Sequence, residues 1–264
     1  MPVDRSIEIR RLLAVDEPPA FVVENEDGAS PFFLTCDHAG KLIPRRLGTL
    51  GLPAAERERH IAWDIGAGAV SRLLAQRLGA TLVTQTYSRL VVDCNRAAGV
   101  PSSIVTLSEL TEIPANRGLS PDDVALRFRE IFDPYHNRIA ALLDRRKQQS
   151  RPTILVAMHS FTPVFKGVAR PWHIGILYHR DRRLAEIMLD LMRREPDLQV
   201  GDNQPYTVGD LTDYTVPVHG ERRGIPHVEI EMRQDLITDP AGQEDWAERL
   251  ARVLGAAQQR LSGV

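Results

Sequence analysis

Two histidines follow apolar runs of the chain directly, and their positions suggest a metal site. His38 follows Phe32–Cys36 after one intervening residue, Asp37, and His159 comes directly after Thr153–Met158. Short apolar runs of this kind predict buried strands. Open α/β sheets bind their ligands outside the carboxyl ends of the strands. Two histidines, a carboxylate and an open position make a catalytic zinc site. The pattern therefore indicates Zn²⁺ as a cofactor, and two hydrogen-bonded loop histidines are the alternative.

A third ligand has to come from elsewhere in the chain, and Asp64 is the first candidate. It stands beside Gly66 and Gly68, ahead of a segment with helical periodicity. An N-cap of that helix is its alternative role. Asp37 adjoins His38 but would point to the opposite side if the strand continued. From that side Asp37 would hydrogen-bond to a metal ligand and orient it without contacting the metal itself.

A third apolar run, Pro226–Met232, carries the carboxylates Glu229 and Glu231. Alternate residues of a strand face the same side, so the two carboxylates are expected together. Buried carboxylates are costly unless they are paired or used. One of them is therefore a candidate general base for activating water at the metal. An ion pair with Arg233 or another arginine is the alternative.

The pair Asn95-Arg96 follows Arg89–Cys94, a run that predicts another strand. Arginine binds a carboxylate through a bidentate fork, so Arg96 at a strand end suits an acidic substrate. A surface salt bridge is the alternative role for this side chain. Further arginines that the same argument admits are Arg89, Arg170 and Arg223.

The elements that must position these residues alternate between strand-like and helical segments. Further strands are predicted at Ala80–Thr84 and His173–Tyr178, whereas Val100–Leu119 and Gly201–Val218 are expected to be loops. Such alternation implies a three-layer α/β/α sandwich of the phosphorylase/hydrolase-like kind, with a mixed, mostly parallel central sheet. Helices are predicted within Ala54–Leu78, from Ser120 to about Gln149, over Arg183–Arg194 and over Gly242–Leu261.

The bulk composition is that of an ordinary globular protein and argues against several classes of protein. A length of 264 residues, 43% of them apolar and 26% charged, suits one α/β domain over residues 1–264. The net charge of −2 argues against nucleic acid or an anionic membrane as the main partner. Two cysteines make no disulfide framework. No apolar run has the length of a secretion signal or a membrane span, so a cytoplasmic protein is expected.

Taken together and in order, six motifs resemble the N-formylglutamate amidohydrolase family. The resemblance extends from about Phe32 to Leu236, and the order and spacing of the motifs are more specific than any one of them. The motifs are TCDHAGKLIP, AWDIGA, SRLVVDCNR, VAMHSF, DNQPY and RGIPHVEIEMRQDL.

This family is similar in fold to zinc carboxypeptidases and acylases. The resemblance implies that His38 and His159 are zinc ligands and that Glu231 is the general base. It also implies that Asn95 and Arg96 correspond to the pair with which related acylases hold a substrate carboxylate.

The chain departs from the carboxypeptidase pattern at one position. That pattern has a glutamate three residues after its first histidine, and this chain has Lys41 there. A lysine is not an ordinary metal ligand, so we expect Asp64 to take the place of the missing carboxylate.

The implied activity is zinc-dependent hydrolysis of N-formyl-L-glutamate, or a close N-acyl amino acid, to the amino acid and formate. The expected partner is thus a small acidic substrate, and a homo-oligomer is left open. Because glutamate has two carboxylates, Arg170 or Arg223 would supply a second cation beside Arg96. The alternatives are a zinc-dependent acyl-amino-acid deacylase or carboxypeptidase of another specificity, and a non-catalytic protein that binds an acidic ligand.

Overall fold

The structure is a computed structural model that describes residues 10–263. The expectation that the N-terminus carries no secretion signal concerns residues that lie mostly outside this range. Within it, no helix is long and apolar enough to cross a bilayer. The helices are α1 (Ala54–Arg57), α2 (Ala67–Leu78), α3 (Pro121–Arg127), α4 (Asp133–Gln148), α5 (Arg183–Met192) and α6 (Pro240–Leu261). The strands are β1 (Phe21–Glu24), β2 (Phe32–Cys36), β3 (Thr81–Gln85), β4 (Leu107–Ser108), β5 (Thr111–Glu112), β6 (Ile154–Phe161), β7 (Val164–Phe165), β8 (Val168–Ala169), β9 (Ile174–Leu177), β10 (Val200–Asp202) and β11 (His227–Arg233).

Seven of these strands form one sheet in the order β1–β3–β2–β6–β11–β9–β10. Neighbours are parallel except at β1–β3 and β11–β9, which are antiparallel. The predicted mixed, mostly parallel sheet is therefore confirmed. The strands β4 and β5 form one small hairpin, and β7 and β8 form another.

The two faces of the sheet are covered differently. On one face, alternate strand residues such as Val156 and Val228 pack in a core with α2, α5 and α6. On the other face, Phe33 and Leu155 pack with side chains of α3, α4 and irregular segments. Helices thus flank both faces, as the three-layer prediction requires. The period of two places residues 157, 159, 229 and 231 on this second face.

The predicted strand over Arg89–Cys94 is wrong, because this buried segment is irregular. Its backbone carbonyls bond to side chains instead of to a neighbouring strand. Asn116 Nδ2 donates to the carbonyl of Leu90 at 2.8 Å, and Arg127 Nη1 donates to that of Val91 at 2.8 Å. An apolar run indicates that a segment is buried. A buried segment need not be a strand when side chains form hydrogen bonds with its backbone groups.

The two predicted loops also contain regular structure. The segment Val100–Leu119 includes the β4–β5 hairpin, and Gly201–Val218 includes most of β10 and the start of a π-helical turn at Val216–Gly220. The helix predicted from Ser120 is present, with the Ser120 side chain capping its first turn. It widens into a π-helical turn at Phe128–Phe132, just before Pro134, whose missing N–H group disturbs the α-helical pattern.

Candidate active site

The carboxyl ends of β2 and β6 bring His38 and His159 together. These strands are parallel neighbours, and the two imidazole rings are 5.0 Å apart between centroids. Asp64 reaches both, because its Oδ2 lies 3.4 Å from His38 Nδ1 and 2.9 Å from His159 Nδ1. All three side chains are buried, and their ligand atoms lie within 4.8 Å of one another. The three residues predicted as metal ligands therefore form one candidate metal site.

Asp64 is free to face the histidines because it does not cap a helix. The N-cap of α2 is Gly66, with a φ of 80° and no side-chain hydrogen bond. A Cβ at Gly66 would lie 2.3 Å from the carbonyl oxygen of Ile237, so this tight turn needs glycine. The Asp64 N–H donates to the His38 carbonyl at 3.0 Å, which ties the turn to the end of β2. The alternative role of Asp64 as N-cap is thereby excluded.

A second carboxylate, Asp93, holds His38 from the other side of its ring. Asp93 Oδ1 lies 2.7 Å from His38 Nε2 and also accepts from the N–H of Asn95. Its Oδ2 accepts from Arg89 at 2.6 and 3.0 Å. Because an ionised carboxylate only accepts, His38 Nε2 is the donor in this pair. The Nδ1 of a neutral imidazole then turns its lone pair toward Asp64, as metal coordination requires.

Asp37 lies on the other side of the His159 ring at ion-pair distance, but the two side chains form no hydrogen bond. Its Oδ2 lies 3.3 Å from His159 Nε2. Its Oδ1 accepts from Tyr135 at 2.6 Å and from Thr215 at 2.9 Å, which fixes the carboxylate. The sequence predicts that Asp37 orients a metal ligand. In the structure Asp37 lies beside His159, on the neighbouring strand, and not beside its sequence neighbour His38. Both histidines therefore have a carboxylate behind the ring and Asp64 in front of it.

The electrostatics of the site favour positive charge. Burial opposes ionisation of Asp64, but the two histidines outweigh it and hold the pKa of that carboxyl below its ordinary value. Burial likewise opposes ionisation of Asp93, whose pKa lies well below its ordinary value because of Arg89 and His38. Although burial lowers it, the pKa of His159 lies well above its ordinary value because carboxylates surround the ring.

The spacing of the ligand atoms suits a small divalent ion. Bonds of about 2.0–2.2 Å in a tetrahedral site put ligand atoms about 3.3 Å apart. The two distances from Asp64 Oδ2, 3.4 and 2.9 Å, lie near that value. Two imidazoles and a carboxylate form the donor set that zinc takes in hydrolases, with one position left open. The residues present therefore fit a catalytic metal ion.

Glu229 and Glu231 both line the cavity in front of these residues. Glu231 is the register partner of His159, and its Oε2 has no hydrogen-bond partner among the described residues. Burial is the main cause that raises the pKa of each glutamate to about 8. The alternative ion pair with Arg233 is not formed, because that arginine binds Asp235 at 2.7 Å.

The cavity has a volume of about 560 Å³, and Arg96 lies in its wall. The Arg96 side chain is 23% exposed, and its Nη1 lies 3.7 Å from Asp213 Oδ1. The neighbouring Asn95 is buried, and the chain itself occupies its amide. Its Nδ2 donates to Asp213, and its Oδ1 accepts from the N–H groups of Tyr214 and Thr215. This geometry gives Asn95 the role of fixing the 201–218 segment, and direct contact with a substrate stays a prediction.

The other candidate arginines have different environments. Arg170 donates from Nη1 to the Tyr206 hydroxyl at 2.9 Å and lies over the rings of Tyr206 and Phe165, which line the cavity rim. Arg89 lines the cavity but is paired with Asp93. Arg223 does not line it and is bound to Asp144 on α4 instead. The expectation that Arg223 contacts the substrate is therefore corrected by its position.

Sequence reasoning missed Asp93 as a partner of a metal-site histidine. Its position in the motif RLVVDCNR shows a polar residue within an apolar run. That was a signal of the same kind as the one that identified Glu231. The predicted strand concealed it, because an irregular backbone is what turns this carboxylate toward His38.

Solved structures of other proteins share the fold of this chain. The chain is similar to the solved structure of gene product Atu2144 from Agrobacterium tumefaciens, with 38% identity and a TM-score of 0.93 over 96% of this chain and 100% of that one. It has the fold of an N-formylglutamate amidohydrolase from Ralstonia eutropha JMP134, with 17% identity and a TM-score of 0.67 over 94% of this chain and 100% of that one. A search of the curated proteins found no match.

A family model extends the comparison from the fold to the motifs. The model described as N-formylglutamate amidohydrolase matches residues 30–238. That range holds all three candidate metal ligands, the two cavity glutamates and Arg96. On this match and on the arrangement of these side chains in one cavity, the chain belongs to the N-formylglutamate amidohydrolase family.

Proposed function

We propose that this protein is a zinc-dependent amidohydrolase that cleaves N-formyl-L-glutamate, or a close N-acyl amino acid, to the amino acid and formate. One observation carries the proposal. His38, Asp64 and His159 converge at one end of the sheet, and Glu231, whose Oε2 has no hydrogen-bond partner among residues 10–263, lines the same cavity. A cluster of metal ligands with a free carboxylate beside it is the arrangement that metal-assisted hydrolysis needs.

The proposed metal ligands are His38, Asp64 and His159. A Zn²⁺ ion held by these residues would supply a Lewis acid that polarises the acyl oxygen and makes water more acidic. Asp93 would keep the His38 imidazole in the orientation that offers a lone pair toward Asp64, and Asp37, 3.3 Å from His159 Nε2, would favour the same orientation of His159.

Glu231 is the proposed general base. Its carboxylate takes a proton from the attacking water as the oxygen bonds to the acyl carbon. It then passes that proton to the amide nitrogen as the C–N bond breaks, so that the amine and the carboxylic acid leave. A pKa raised to about 8 by burial makes this carboxyl a stronger base than an exposed glutamate once it is ionised, and the fraction ionised grows as the pH rises toward 8. Its position opposite His159 in the sheet register supports this role.

Arg96 is the proposed partner of a substrate carboxylate. Arg96 lines the cavity with its nearest carboxylate 3.7 Å away, whereas the other lining arginine, Arg89, is bound to Asp93 at 2.6 Å. Arg170 is the proposed second cation, because it has aromatic neighbours at the rim and no carboxylate within ion-pair distance among residues 10–263. Two cations would match the two carboxylates of N-formyl-L-glutamate.

The test is formate release from N-formyl-L-glutamate by purified, zinc-loaded protein, with a chelated sample alongside. We expect release that the chelator stops and that added zinc restores. Zinc bound in stoichiometric amount without formate release would move the proposal to other N-acyl amino acids. Neither zinc nor turnover would contradict it and would favour a protein that only binds an acidic ligand.

A further inference from the structure

The candidate cavity is larger than N-formyl-L-glutamate, the substrate proposed above. Its volume is about 560 Å³. N-formyl-L-glutamate has about 12 non-hydrogen atoms, so even at the roughly 30 Å³ that a water molecule takes up it would fill at most about 360 Å³. The proposed function assigns both of its carboxylates to arginines, and its formyl carbon carries only a hydrogen. The remaining space is therefore open to a larger group on the acyl carbon.

The cavity wall next to the candidate metal site is aromatic. Phe161 lies two residues beyond His159 on β6, so the two side chains leave the same face of the sheet about 6.6 Å apart along the strand. Phe161 is 1% exposed and lines the cavity. The other apolar residues of β6 pack in the apolar clusters of the described chain, whereas Phe161 does not. An acyl group held at the metal site would therefore contact this ring.

Two further rings extend the aromatic surface from Phe161, and Arg170 joins the three. The guanidinium carbon of Arg170 lies 5.8 Å from the ring centroid of Phe161 and 4.7 Å from that of Phe165. It lies 4.8 Å from the ring centroid of Tyr206, whose hydroxyl accepts from Arg170 Nη1 at 2.9 Å. A guanidinium stacks on rings through its faces and keeps N–H groups at its edge for a carboxylate. Phe161, Phe165 and Tyr206 all line the cavity, and we call them the aromatic wall.

The apolar surface continues outward from Phe165 at the mouth of the cavity. Val168 is the register partner of Phe165 across the β7–β8 hairpin, so the two side chains share a face, and Val168 is 68% exposed. On the β4–β5 hairpin, Leu110 is 81% exposed, and its neighbour Glu109 lines the cavity. The N–H of Lys166 donates to Glu109 Oε1 at 3.3 Å, which joins the two hairpins. An apolar chain that leaves the cavity here would remain in contact with apolar side chains.

We propose that the substrate is an N-acyl amino acid whose acyl group is an apolar chain of several carbons, and that the aromatic wall determines this preference. The inference rests on the proposed function, because it names the acyl group that the same site would release. Water adds to the acyl carbon as the C–N bond breaks, so the products are the free amino acid and a carboxylic acid that carries this chain. Apolar surface buried against the rings strengthens binding, and a formyl group has almost none to bury.

The test measures kcat/KM of the zinc-loaded protein for L-glutamates that carry a formyl, acetyl, butanoyl or hexanoyl group. We expect kcat/KM to rise about three- to fourfold for each added methylene that the wall covers. The Kd of the same compounds is measured by titration calorimetry with Glu231→Gln. It should fall by a similar factor per methylene, which shows the preference in binding without turnover.

Two substitutions separate the aromatic wall from the rest of the protein. Phe165→Ala should lower the ratio of kcat/KM for the hexanoyl substrate to that for the formyl substrate about tenfold. A ratio within one protein is unaffected by a general loss of folded enzyme. Tyr206→Ala, at a position that is 42% exposed, is a second variant with the same expectation. Val22→Ala, an exposed position on β1 that does not line the cavity, is the control and should keep the wild-type ratio.

Three results would overturn the inference. The first is cleavage of N-formyl-L-glutamate with no gain in kcat/KM as the acyl chain grows, and the proposed function would then stand alone. The second is the same ratio for Phe165→Ala, Tyr206→Ala and Val22→Ala. The third is faster cleavage of N-formyl-L-norleucine than of N-hexanoyl-L-glutamate, because the wall would then bind the amino acid and not the acyl group. Failure of the proposed function is a separate result: the zinc-bound protein would cleave no member of the series, which would overturn both proposals.

Discussion

Glu231 on β11 and His159 on β6 are register partners in neighbouring parallel strands. Their side chains therefore leave the same face of the sheet, next to each other, at the edge of the sheet where His38 follows β2. A shift of one residue in this register would oppose His159 with an apolar residue, Ile230 or Met232. The pairing of these two strands thus sets the candidate base beside the candidate metal site before any loop contributes.

The first prediction concerns Glu231→Gln. We expect this change to lower kcat by about 10²–10⁴-fold, because a glutamine cannot accept the proton from water. Zinc content measured by atomic absorption should stay the same, because Glu231 is not one of the proposed ligands. The matched control is Glu186→Gln on α5, an exposed glutamate paired with Arg182, and its turnover should be normal. Normal turnover by the Glu231 variant would exclude it as the base.

The second prediction concerns Asp93→Asn. We expect a 10- to 100-fold weaker affinity for zinc, since a carboxylate that orients a ligating histidine contributes that much. An amide at this position can present its N–H₂ group to His38 and favour the wrong tautomer. Competition with a chromogenic chelator measures the affinity directly. Asp144→Asn, at a position far more exposed on α4, is the control and should bind zinc like the wild type.

The sequence predicts the residues that follow strands better than those held by irregular backbone. His38, His159 and Glu231 are found because an apolar run followed or interrupted by a polar residue is a local pattern. Asp93 belongs to the same site, but its position depends on Asn116 and Arg127, which bind the backbone next to it. Such long-range contacts leave no periodicity in the chain.

The candidate arginines show the opposite case, in which the sequence admits more residues than the site contains. The sequence favours Arg96 because it follows a predicted strand, but that strand is not formed, and no local pattern separates Arg170 from Arg223. Only the folded chain separates them, with Arg223 bound to Asp144 and Arg96 in the cavity wall. The choice of partner for a long, flexible cation is made by tertiary structure.

The third prediction compares Arg96, which lies in the cavity wall, with Arg223, which lies outside the cavity. Arg96→Ala should raise KM for N-formyl-L-glutamate about 10- to 100-fold, because the loss of one charge-assisted hydrogen-bonded pair weakens binding by about that factor. Arg223→Ala, outside the cavity, should leave KM and kcat unchanged. Steady-state kinetics on both variants measure the difference. If KM and kcat of Arg96→Ala both matched the wild type, the assignment of this carboxylate subsite would be wrong.

The fourth prediction concerns the stability of the chelated protein between pH 5 and pH 8. The pKa values of Glu229 and Glu231 are raised from 4.5 to about 8, so the folded protein binds more protons than the unfolded chain in this window. The stability that these protonated carboxyls contribute is fully present below pH 4.5 and is lost as the pH rises toward 8. The carboxyls with lowered pKa values, such as Asp64, act below their ordinary value of 3.8 and do not oppose the trend here. Chemical unfolding of the wild type and of the Glu229→Gln/Glu231→Gln double variant should therefore diverge with pH. We expect the free energy of unfolding of the wild type to fall, relative to the variant, by about 2–3 kcal/mol per pH unit, since each of the two carboxyls contributes about 1.4 kcal/mol. Parallel curves for the two proteins would mean that neither glutamate is held neutral in the folded chain.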